Sequence, residues 1–288
     1  GSVFLVRCKQ DGQIYALKQV RISENDIHDG YVNPSRESSI NEYLLQHCSS
    51  SETSYFVNMK DQFYTRRTEK TLWNNMVLEY VGLSLSTCLT QSHTFSKLDL
   101  IRSLIQELHF LHSNNIVHRD LKPSNILMDL SRKHIKFCDF GCSKRILGNP
   151  DSHRSTPLVT SRFYRAPELL MGATHYAFAI DIWSLGCVIA EILLGHPLFV
   201  SLDSDGDQLV SIINVLGLPT EEDMVQMQIP KANRDLILGI RRIDPLPFDS
   251  FFPSDIDMNY ITLLHNILQY DPTKRPTAQQ LMEYPLAS

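Results

Sequence analysis

The sequence lacks any hydrophobic run of the roughly 18 to 20 residues that a membrane-spanning helix needs, and its start, GSVFLVRCKQ, turns polar too soon for a secretory signal. It also lacks an excess of positive charge, since 27 lysines and arginines face 32 aspartates and glutamates for a net charge of −5. Nucleic acid and membrane surfaces are therefore not expected as partners. We expect an intracellular protein, cytoplasmic and/or nuclear.

Cysteine pairs at metal-ligand spacing are missing as well. The six cysteines are scattered and none stands in a CxxC motif, which excludes the usual zinc and redox patterns. Cys138 and Cys142 flank Asp139-Phe140-Gly141. Because soft thiolates compete poorly with carboxylates for a hard cation, we interpret all six as reduced thiols in packed positions.

Strand patterns fill the first part of the 288 residues. Residues 3–8 and 14–20 are rich in β-branched and aromatic side chains and flank an Asp-Gly turn signal, which predicts a hairpin. Residues 55–59 and 71–81 are predicted as two further strands, joined by a charged turn at 66–70. The chain therefore begins with a sheet.

One helix is predicted between these strand pairs, from an N-cap at Ser35 to about His47. It carries two candidate partners for Lys18 in the second strand. Glu37 is preferred because apolar residues follow it at i+3 and i+7, a stripe that faces a core. Glu42 has only one such neighbour and is the fallback.

Helical periodicity dominates from Ser96 onward. Helices are predicted at 96–113, 180–194, about 206–216, about 221–227 and about 260–269. The change of period predicts one α+β domain over 1–288, with a small β-rich lobe at 1–78, a hinge at 79–82 and a larger helical lobe at 83–288.

Two charged motifs carry the chemistry. His118-Arg119-Asp120-Leu121-Lys122-Pro123-Ser124-Asn125 is followed, after two short strands, by Asp139-Phe140-Gly141. Their carboxylates, ammonium group and amide can gather around a nucleotide phosphate and its metal. Together with Ala16-Leu17-Lys18 and Ala166-Pro167-Glu168 they resemble, in identity, order and spacing, the signatures of eukaryotic protein kinases. The resemblance covers essentially the whole chain.

The resemblance implies a bilobal protein kinase fold and transfer of the ATP γ-phosphate to serine or threonine hydroxyls of protein substrates. Asp120 would orient the substrate hydroxyl and accept its proton, and Lys122 would lie near the γ-phosphate. Lys122 is typical of serine/threonine kinases. The alternative is a pseudokinase or docking module that uses the same fold to bind regulators. The complete set of charged residues favours the enzyme.

The resemblance also implies sites for ATP and Mg²⁺. Lys18 would hold the α- and β-phosphates, fixed by Glu37, while Asn125 and Asp139 would hold magnesium. The implied contacts to the rest of the nucleotide come from Val3, Ala16, Leu78, Leu127 and the backbone from Glu79 to Val81.

The N-terminus and two distant charges complete the resemblance. Gly1-Ser2-Val3 matches the end of a Gly-rich loop, so we expect a chain truncated inside that loop, although Gly1-Ser2 equally fits a cloning remnant. Asp181 would brace the catalytic loop, and Arg275 would form a buried ion pair with Glu168.

Further motifs narrow the group. Ser161-Arg162-Phe163-Tyr164-Arg165 and Asp207-Gln208-Leu209 resemble the cyclin-dependent, mitogen-activated and glycogen synthase kinases. Gly172-Ala173-Thr174 and Cys138 are most similar to the glycogen synthase kinase branch. An insert at about 196–255 offers a place for a regulatory protein, although its apolar helical stripe is better explained by core packing.

Three cations, Arg36, Arg119 and Lys144, fall where this group gathers a phosphate. The phosphate would come from a primed substrate or from Thr156, so proline-directed or phosphate-primed substrates are expected. Leu158 stands where the glycogen synthase kinase branch carries a tyrosine, which excludes tyrosine autophosphorylation there.

Overall fold

The computed structural model describes the part of the chain that comprises residues 1–22, 36–49, 51, 55–68, 71–91, 93–129, 134–147, 162–201, 204–240 and 245–286. A sheet forms the N-terminal part and helices form most of the remainder, as the change of period predicted. No helix within these ranges is long and apolar enough to cross a membrane.

Four strands form the N-terminal sheet in the order β1-β2-β4-β3, and neighbouring strands run antiparallel. They are β1 (Ser2–Arg7), β2 (Ile14–Ile22), β3 (Met59–Thr68) and β4 (Thr71–Glu79). The register sets Ala16 opposite Leu78 and Lys18 opposite Met76. Alternation along β2 therefore puts Ala16 and Lys18 on one face of the sheet.

The strand predicted at 55–59 is wrong in its bounds. Phe56 forms only an isolated bridge with Phe137, and β3 begins at Met59 and continues through most of the predicted charged turn. The reason is that β3 is an edge strand, where charged side chains such as Lys60 and Arg66 remain in water and the strand continues through register shifts at Met59/Asp61 and Arg66/Thr68.

The helix α1 (Arg36–His47) lies between β2 and β3 in the chain and packs against β3 and against a short turn at Phe140–Cys142. Its buried side chains include Glu37, Ile40 and Leu44. The proposed N-cap, Ser35, lies outside the described residues. α1 is thus the element that can bring a carboxylate from the first lobe to the Asp139 motif.

The long helix α3 and several short elements follow the sheet. They are β5 (Leu83–Ser84), α2 (Leu85–Thr90), α3 (Lys97–Ser113), β6 (Ile116–Val117), β7 (Ile126–Asp129), β8 (His134–Phe137) and β9 (Lys144–Arg145). At the join, a Cβ on Gly82 would collide with the carbonyl oxygen of Met128. Glycine is therefore required for the close approach of the two backbones there.

The remaining helices follow the catalytic motifs. They are α4 (Pro167–Leu170), α5 (Ala179–Leu194), α6 (Asp205–Leu216), α7 (Glu221–Gln226), α8 (Lys231–Leu238), α9 (Met258–Ile267) and α10 (Ala278–Met282). The predictions for α5, α6, α7 and α9 hold with small shifts at the ends. The helices α2, α4 and α10 were not predicted because each is too short to show a clear period. The helix α8 was not predicted because it buries only Ile237 and so has no repeating apolar side.

The helical part has one large core around α5, in which Trp183 is fully buried and stacks on Phe199 with ring centroids 5.7 Å apart. The ion pair expected between Arg275 and Glu168 is present. Its two guanidinium nitrogens donate to the two carboxylate oxygens at 2.7 and 2.8 Å, and both side chains are buried. This core fixes α5, which braces the site described next.

Candidate active site

A shared ammonium group joins the first lobe to the Asp139 motif. Lys18 Nζ donates to Glu37 Oε2 at 2.6 Å and to Asp139 Oδ1 at 2.7 Å. Glu42, the fallback partner, is exposed on α1. The structure therefore places Glu37, and not Glu42, against Lys18.

One cation between two carboxylates leaves this cluster with an excess negative charge. Burial would lower the pKa of Lys18, but Glu37 and Asp139 raise it above its usual value. Burial raises the pKa of Glu37, the more enclosed carboxyl. Burial also acts to raise the pKa of Asp139, but the neighbouring Lys18 outweighs it and the pKa is lowered. The excess charge therefore lies at Asp139, whose side chain is 43% exposed.

The backbone at Asp139 adopts a left-handed conformation, with φ 65°. This turn separates two side chains, since the Asp139 carboxylate reaches Lys18 while Phe140 is buried. The Phe140 ring lies 5.5 Å from the His118 ring and 6.4 Å from the Phe56 ring, measured between centroids. The turn thus ties the position of the carboxylate to packing in the core.

Two polar side chains of the loop from His118 to Asn125 donate hydrogen bonds to Asp120. Lys122 Nζ donates to Asp120 Oδ2 at 2.8 Å. Asn125 Nδ2 donates to the same oxygen at 3.0 Å and to the Asp120 carbonyl oxygen at 2.8 Å. Because the amide nitrogen of Asn125 makes these bonds, its oxygen Oδ1 is the atom left to bind a cation.

Asp181 holds this loop from below. It is fully buried in α5, and its carboxylate accepts from the backbone N–H groups of His118 at 2.6 Å and Arg119 at 2.8 Å, and lies 3.1 Å from His112 Nε2. Arg119 has φ 70°, a conformation that L residues rarely adopt. Two bonds to one rigid carboxylate stabilise that backbone directly before Asp120.

A small apolar cluster lies under the sheet next to Lys18. Val57, Met76 and Leu78 are buried there. The partly buried residues packed against them include three predicted nucleotide contacts, Ala16, Val81 and Leu127, together with Val20, Met59 and Cys138. Val3, a fourth predicted contact, pairs with Lys18 across β1 and β2, but its side chain is 64% exposed.

Glu79, at the start of the predicted hinge, is anchored through its side chain. Its Oε1 accepts from Asn58 N at 2.8 Å, from Asn58 Nδ2 at 2.7 Å and from Lys136 Nζ at 2.5 Å. These bonds join β4 to β8 and to the segment before β3. The backbone from Glu79 to Val81 is therefore held beside the apolar cluster.

The cations Arg36, Arg119 and Lys144 form a second charged region, which we call the cationic pocket. Burial lowers the pKa of Lys144, and Arg119 and Arg36 lower it further. Burial also lowers the pKa of Arg119, whose Nε and Nη2 have no hydrogen-bond partner although the residue is only 8% exposed. Among the described residues, no carboxylate forms an ion pair with Arg36 or Arg119. Thr156, Leu158 and Ser161 lie outside the described residues.

Comparison with known proteins decides the family. The family model described as protein kinase domain matches residues 1–287. The chain is 34% identical over 284 residues to the protein kinase gsk3 of Schizosaccharomyces pombe, which covers 95% of this chain and 71% of that protein. It is 35% identical over 247 residues to the serine/threonine-protein kinase RIM11/MSD1 of Saccharomyces cerevisiae, covering 83% of this chain and 63% of that protein.

The chain belongs to the protein kinase family. The predicted bilobal α+β kinase fold, the class of serine/threonine kinase and the resemblance to the glycogen synthase kinase branch are thereby confirmed. Protein kinases as a family use ATP and magnesium. The roles of individual residues in this kinase are taken up as proposals below.

Sequence reasoning missed several residues of the kinase site. Met76 and Leu78 alternate onto one face of β4, so the pattern of that strand contained the signal for Met76. Val57 had no such signal because the segment before Met59, which was predicted as a strand, forms only an isolated bridge at Phe56. The bonds of Asn58 and Lys136 to Glu79 depend on tertiary contacts that no local pattern shows.

The cysteines of the kinase are free thiols. Burial raises the pKa of Cys138 to about 12, and burial also raises the pKa of Cys142. Both thiols beside the Asp139 motif are therefore protonated at neutral pH, which makes them poor metal ligands.

Proposed function

We propose that this kinase transfers the γ-phosphate of ATP to serine and threonine hydroxyls of proteins, with Asp120 as the base and Lys122, Lys18, Asn125 and Asp139 as the binding groups. The observation that carries the proposal is the double ion pair of Lys18 with Glu37 and Asp139. Kinases require the lysine–glutamate pair and the aspartate of the metal site to be in place together. The alternative, a pseudokinase, gains no support from a site with all these groups assembled.

The residues present fit a magnesium ion. Asp139 carries the excess negative charge of its cluster, and Asn125 Oδ1 is left for a cation by the bonds of its amide nitrogen. Magnesium is usually bound by one or two protein oxygens and by substrate phosphates. Consistent with that, the described residues contain no group of three or more His, Cys, Asp or Glu suited to hold a metal alone. Bound there, magnesium would neutralise charge on the phosphates.

The chain's own residues account for positioning and proton transfer. Lys18 is held by Glu37 so that its charge is available to the α- and β-phosphates, and the apolar cluster around Leu78 accepts the adenine. Asp120 orients the substrate hydroxyl and accepts its proton, while Lys122, whose Nζ donates to that carboxylate at 2.8 Å, lies ready for the transferred phosphoryl group. The Asp181 brace fixes the direction of Asp120.

A groove of about 390 Å³ lies beside the catalytic loop, next to Lys122, which is the hydrogen-bond partner of Asp120. Its lining includes Lys122, Ser124, Phe163 and Tyr164. An extended protein segment can therefore place a hydroxyl beside the carboxylate.

Turnover of ATP with a generic serine/threonine substrate tests the proposal. We expect the full-length protein to phosphorylate the substrate, and Asp120→Asn to lower kcat about 10²- to 10⁴-fold with the KM for ATP retained. The matched control is Asp235→Asn, an exposed aspartate on α8, which we expect to behave as wild type. No phosphorylation by the full-length wild type, with the nucleotide still bound, would support the pseudokinase instead.

For the cationic pocket we propose a phosphate from a primed substrate or from phosphorylated Thr156. The unpartnered guanidinium nitrogens of Arg119 and the mutual repulsion of the three cations support an anion there. A phosphate dianion supplies both the charge and the hydrogen-bond acceptors.

Two peptides that differ only in a priming phosphoserine separate the sources. If a primed substrate fills the pocket, the primed peptide has the higher kcat/KM and Thr156→Ala leaves wild-type activity unchanged. If phospho-Thr156 fills it, Thr156→Ala or phosphatase treatment lowers activity on both peptides equally. Unchanged activity in Thr156→Ala together with equal use of the two peptides would refute both sources.

A regulator at the insert of residues 196–255 stays a prediction, as do the cytoplasmic or nuclear compartment and the bounds of the lobes and hinge. The predicted apolar stripe is used by the core, since Ile212 and Ile213 are buried. The most exposed apolar side chains of the described part of the insert include those of Leu236 and Leu246, which are the place to look for a partner.

A further inference from the structure

Arg145 makes a contact between the two lobes that the catalytic assignment does not use. Its guanidinium carbon lies 3.8 Å from the centroid of the Tyr43 ring in α1. A cation this close to an aromatic ring is attracted by the negative face of the ring. The contact joins the segment after Asp139 to the helix that carries Glu37.

The Arg145 end of the contact is fixed to the helical lobe. In β9, Arg145 pairs with Ile116 of β6, the strand that leads into the catalytic loop. The next residue, Ile146, is buried, and its N–H donates to the Asn115 carbonyl oxygen at 2.8 Å. The backbone that carries the Arg145 side chain is therefore fixed both by its pairing with Ile116 and by the hydrogen bond of Ile146.

The Tyr43 end is also ordered. The Tyr43 ring stacks on His47 one helical turn later, with centroids 4.2 Å apart and planes inclined by 27°. Two groups this close to the ring centre would overlap on one face, so Arg145 and His47 occupy opposite faces of the ring. His47 Nδ1 also donates to the Tyr43 carbonyl oxygen at 2.9 Å. The ring is thus confined, and it offers one face to the other lobe.

Two positions on one side of α1 therefore touch the Asp139 segment. Arg36, in the cationic pocket, donates from Nη1 to the Gly141 carbonyl oxygen at a long 3.5 Å. Tyr43 follows seven residues later, two turns and about 10.5 Å along the helix. The contact of Arg36 needs an anion to neutralise the cations around it. The contact of Tyr43 with Arg145 needs no anion.

We propose that Arg145 is a positioning residue, which with Tyr43 clamps α1 onto the helical lobe and keeps Glu37 against Lys18 when the cationic pocket holds no phosphate. The proposal rests on the phosphate site proposed above, because it assigns the clamp the basal activity and the phosphate the increase over it. Without the clamp and without a phosphate, α1 would be held only by its packing against β3 and the turn at Phe140–Cys142 and by the bond of Glu37 to Lys18.

A double-mutant cycle tests the clamp in the full-length, phosphatase-treated kinase. On an unprimed peptide, Arg145→Met and Tyr43→Leu are each expected to lower kcat/KM about twofold to fivefold. The double variant should lose no more than either single variant, because both remove the same contact. Tyr43→Phe keeps the ring and should retain wild-type activity. A saturating primed peptide should reduce the losses to less than about twofold.

Additive losses in the double variant would overturn the clamp, as would equal losses on primed and unprimed peptides in an enzyme whose wild type prefers the primed one. A purely structural role would instead lower the thermal midpoint and leave the dependence on priming unchanged. Failure of the phosphate site gives a different result, namely a wild type that uses both peptides alike and whose activity is unchanged by phosphatase treatment. In that case the cycle on the unprimed peptide still decides whether Arg145 and Tyr43 act together.

Discussion

The catalytic cluster and the cationic pocket use charge in opposite ways. Lys18 is paired with two carboxylates within hydrogen-bond distance, and Asp120 is paired with Lys122. Arg119 lies in the other region beside cations and leaves two nitrogens unpartnered. The first region is nearly balanced by its own residues, whereas in the second burial and the neighbouring cations lower the pKa of Arg119 and of Lys144, which favours an anion from elsewhere.

This difference suits the catalytic cluster to positioning the reacting groups and the cationic pocket to sensing an anion. A balanced cluster holds its geometry whether or not a ligand is bound, which suits groups that must be in place before the reaction. A cluster of like charges gains stability only when an anion arrives, so its state reports the presence of that anion. The helix α1 carries Glu37 of the catalytic cluster and Arg36 of the cationic pocket. Binding of an anion in the pocket can therefore change the position of Glu37 in the cluster.

The largest effect is expected from breaking the balanced cluster. Glu37→Gln keeps the shape of the side chain but removes the charge that holds Lys18, so the lysine is left with Asp139 alone. A displaced phosphate-binding group costs about 10²-fold in kcat/KM. Steady-state kinetics at varied ATP would show this loss.

The control for Glu37→Gln is Glu42→Gln on the same helix. Glu42 is exposed, so its variant should match wild type. Equal losses in the two variants would mean that the helix, and not the ion pair, controls activity.

Part of the paired region was predictable, because its motifs are local and the resemblance to protein kinases implied the pair of Lys18 with Glu37, whereas the bond from Lys18 to Asp139, 121 residues away in the chain, was not predicted. The spacing of Asp120, Lys122 and Asn125 lies within one loop, and the choice of Glu37 followed from the apolar side of α1. The contact of Tyr43 with Arg145 was not predictable, since it depends on how two lobes meet. The start of β3 was misplaced because an edge strand tolerates the charges that otherwise indicate a turn.

A smaller effect on activity is expected in the cationic pocket, where losing a charge should affect the use of primed peptides more than the stability of the fold. Arg36→Gln removes one of several like charges, so the free energy of unfolding should change by less than about 0.5 kcal/mol. The same change removes a charge-assisted contact to phosphate and should reduce the advantage of a primed peptide about tenfold. Urea unfolding and peptide kinetics measure the two quantities.

Lys231→Gln, at an exposed cation on α8, is the control for Arg36→Gln and should alter neither quantity. A fall in stability of several kcal/mol in Arg36→Gln, with priming unaffected, would show that the arginine is a structural residue and that the two regions do not differ as described.

The smallest effect concerns Glu107, a buried carboxyl on α3 whose Oε2 also lacks a hydrogen-bond partner. Burial raises its pKa well above the ordinary value of 4.5. Unlike a guanidinium group, a carboxyl can shed its charge by taking up a proton. An unpartnered buried atom therefore supports a ligand at Arg119 but only a neutral acid at Glu107, whose carboxyl also has the Phe137 backbone and the charge of Lys136 nearby.

The pH dependence of stability distinguishes these two cases. Because the folded-state pKa of Glu107 is raised, its contribution to stability is complete below 4.5 and is lost as the pH rises from there through the folded-state value. Glu107→Gln removes this loss, so the stability of the variant relative to wild type should rise as the pH increases above 4.5 toward the folded-state pKa. Urea unfolding across that range measures the gain. A pH-independent difference would mean that Glu107 is ionised and paired in the folded protein, and that an unpartnered buried group is a poor guide to a ligand site here.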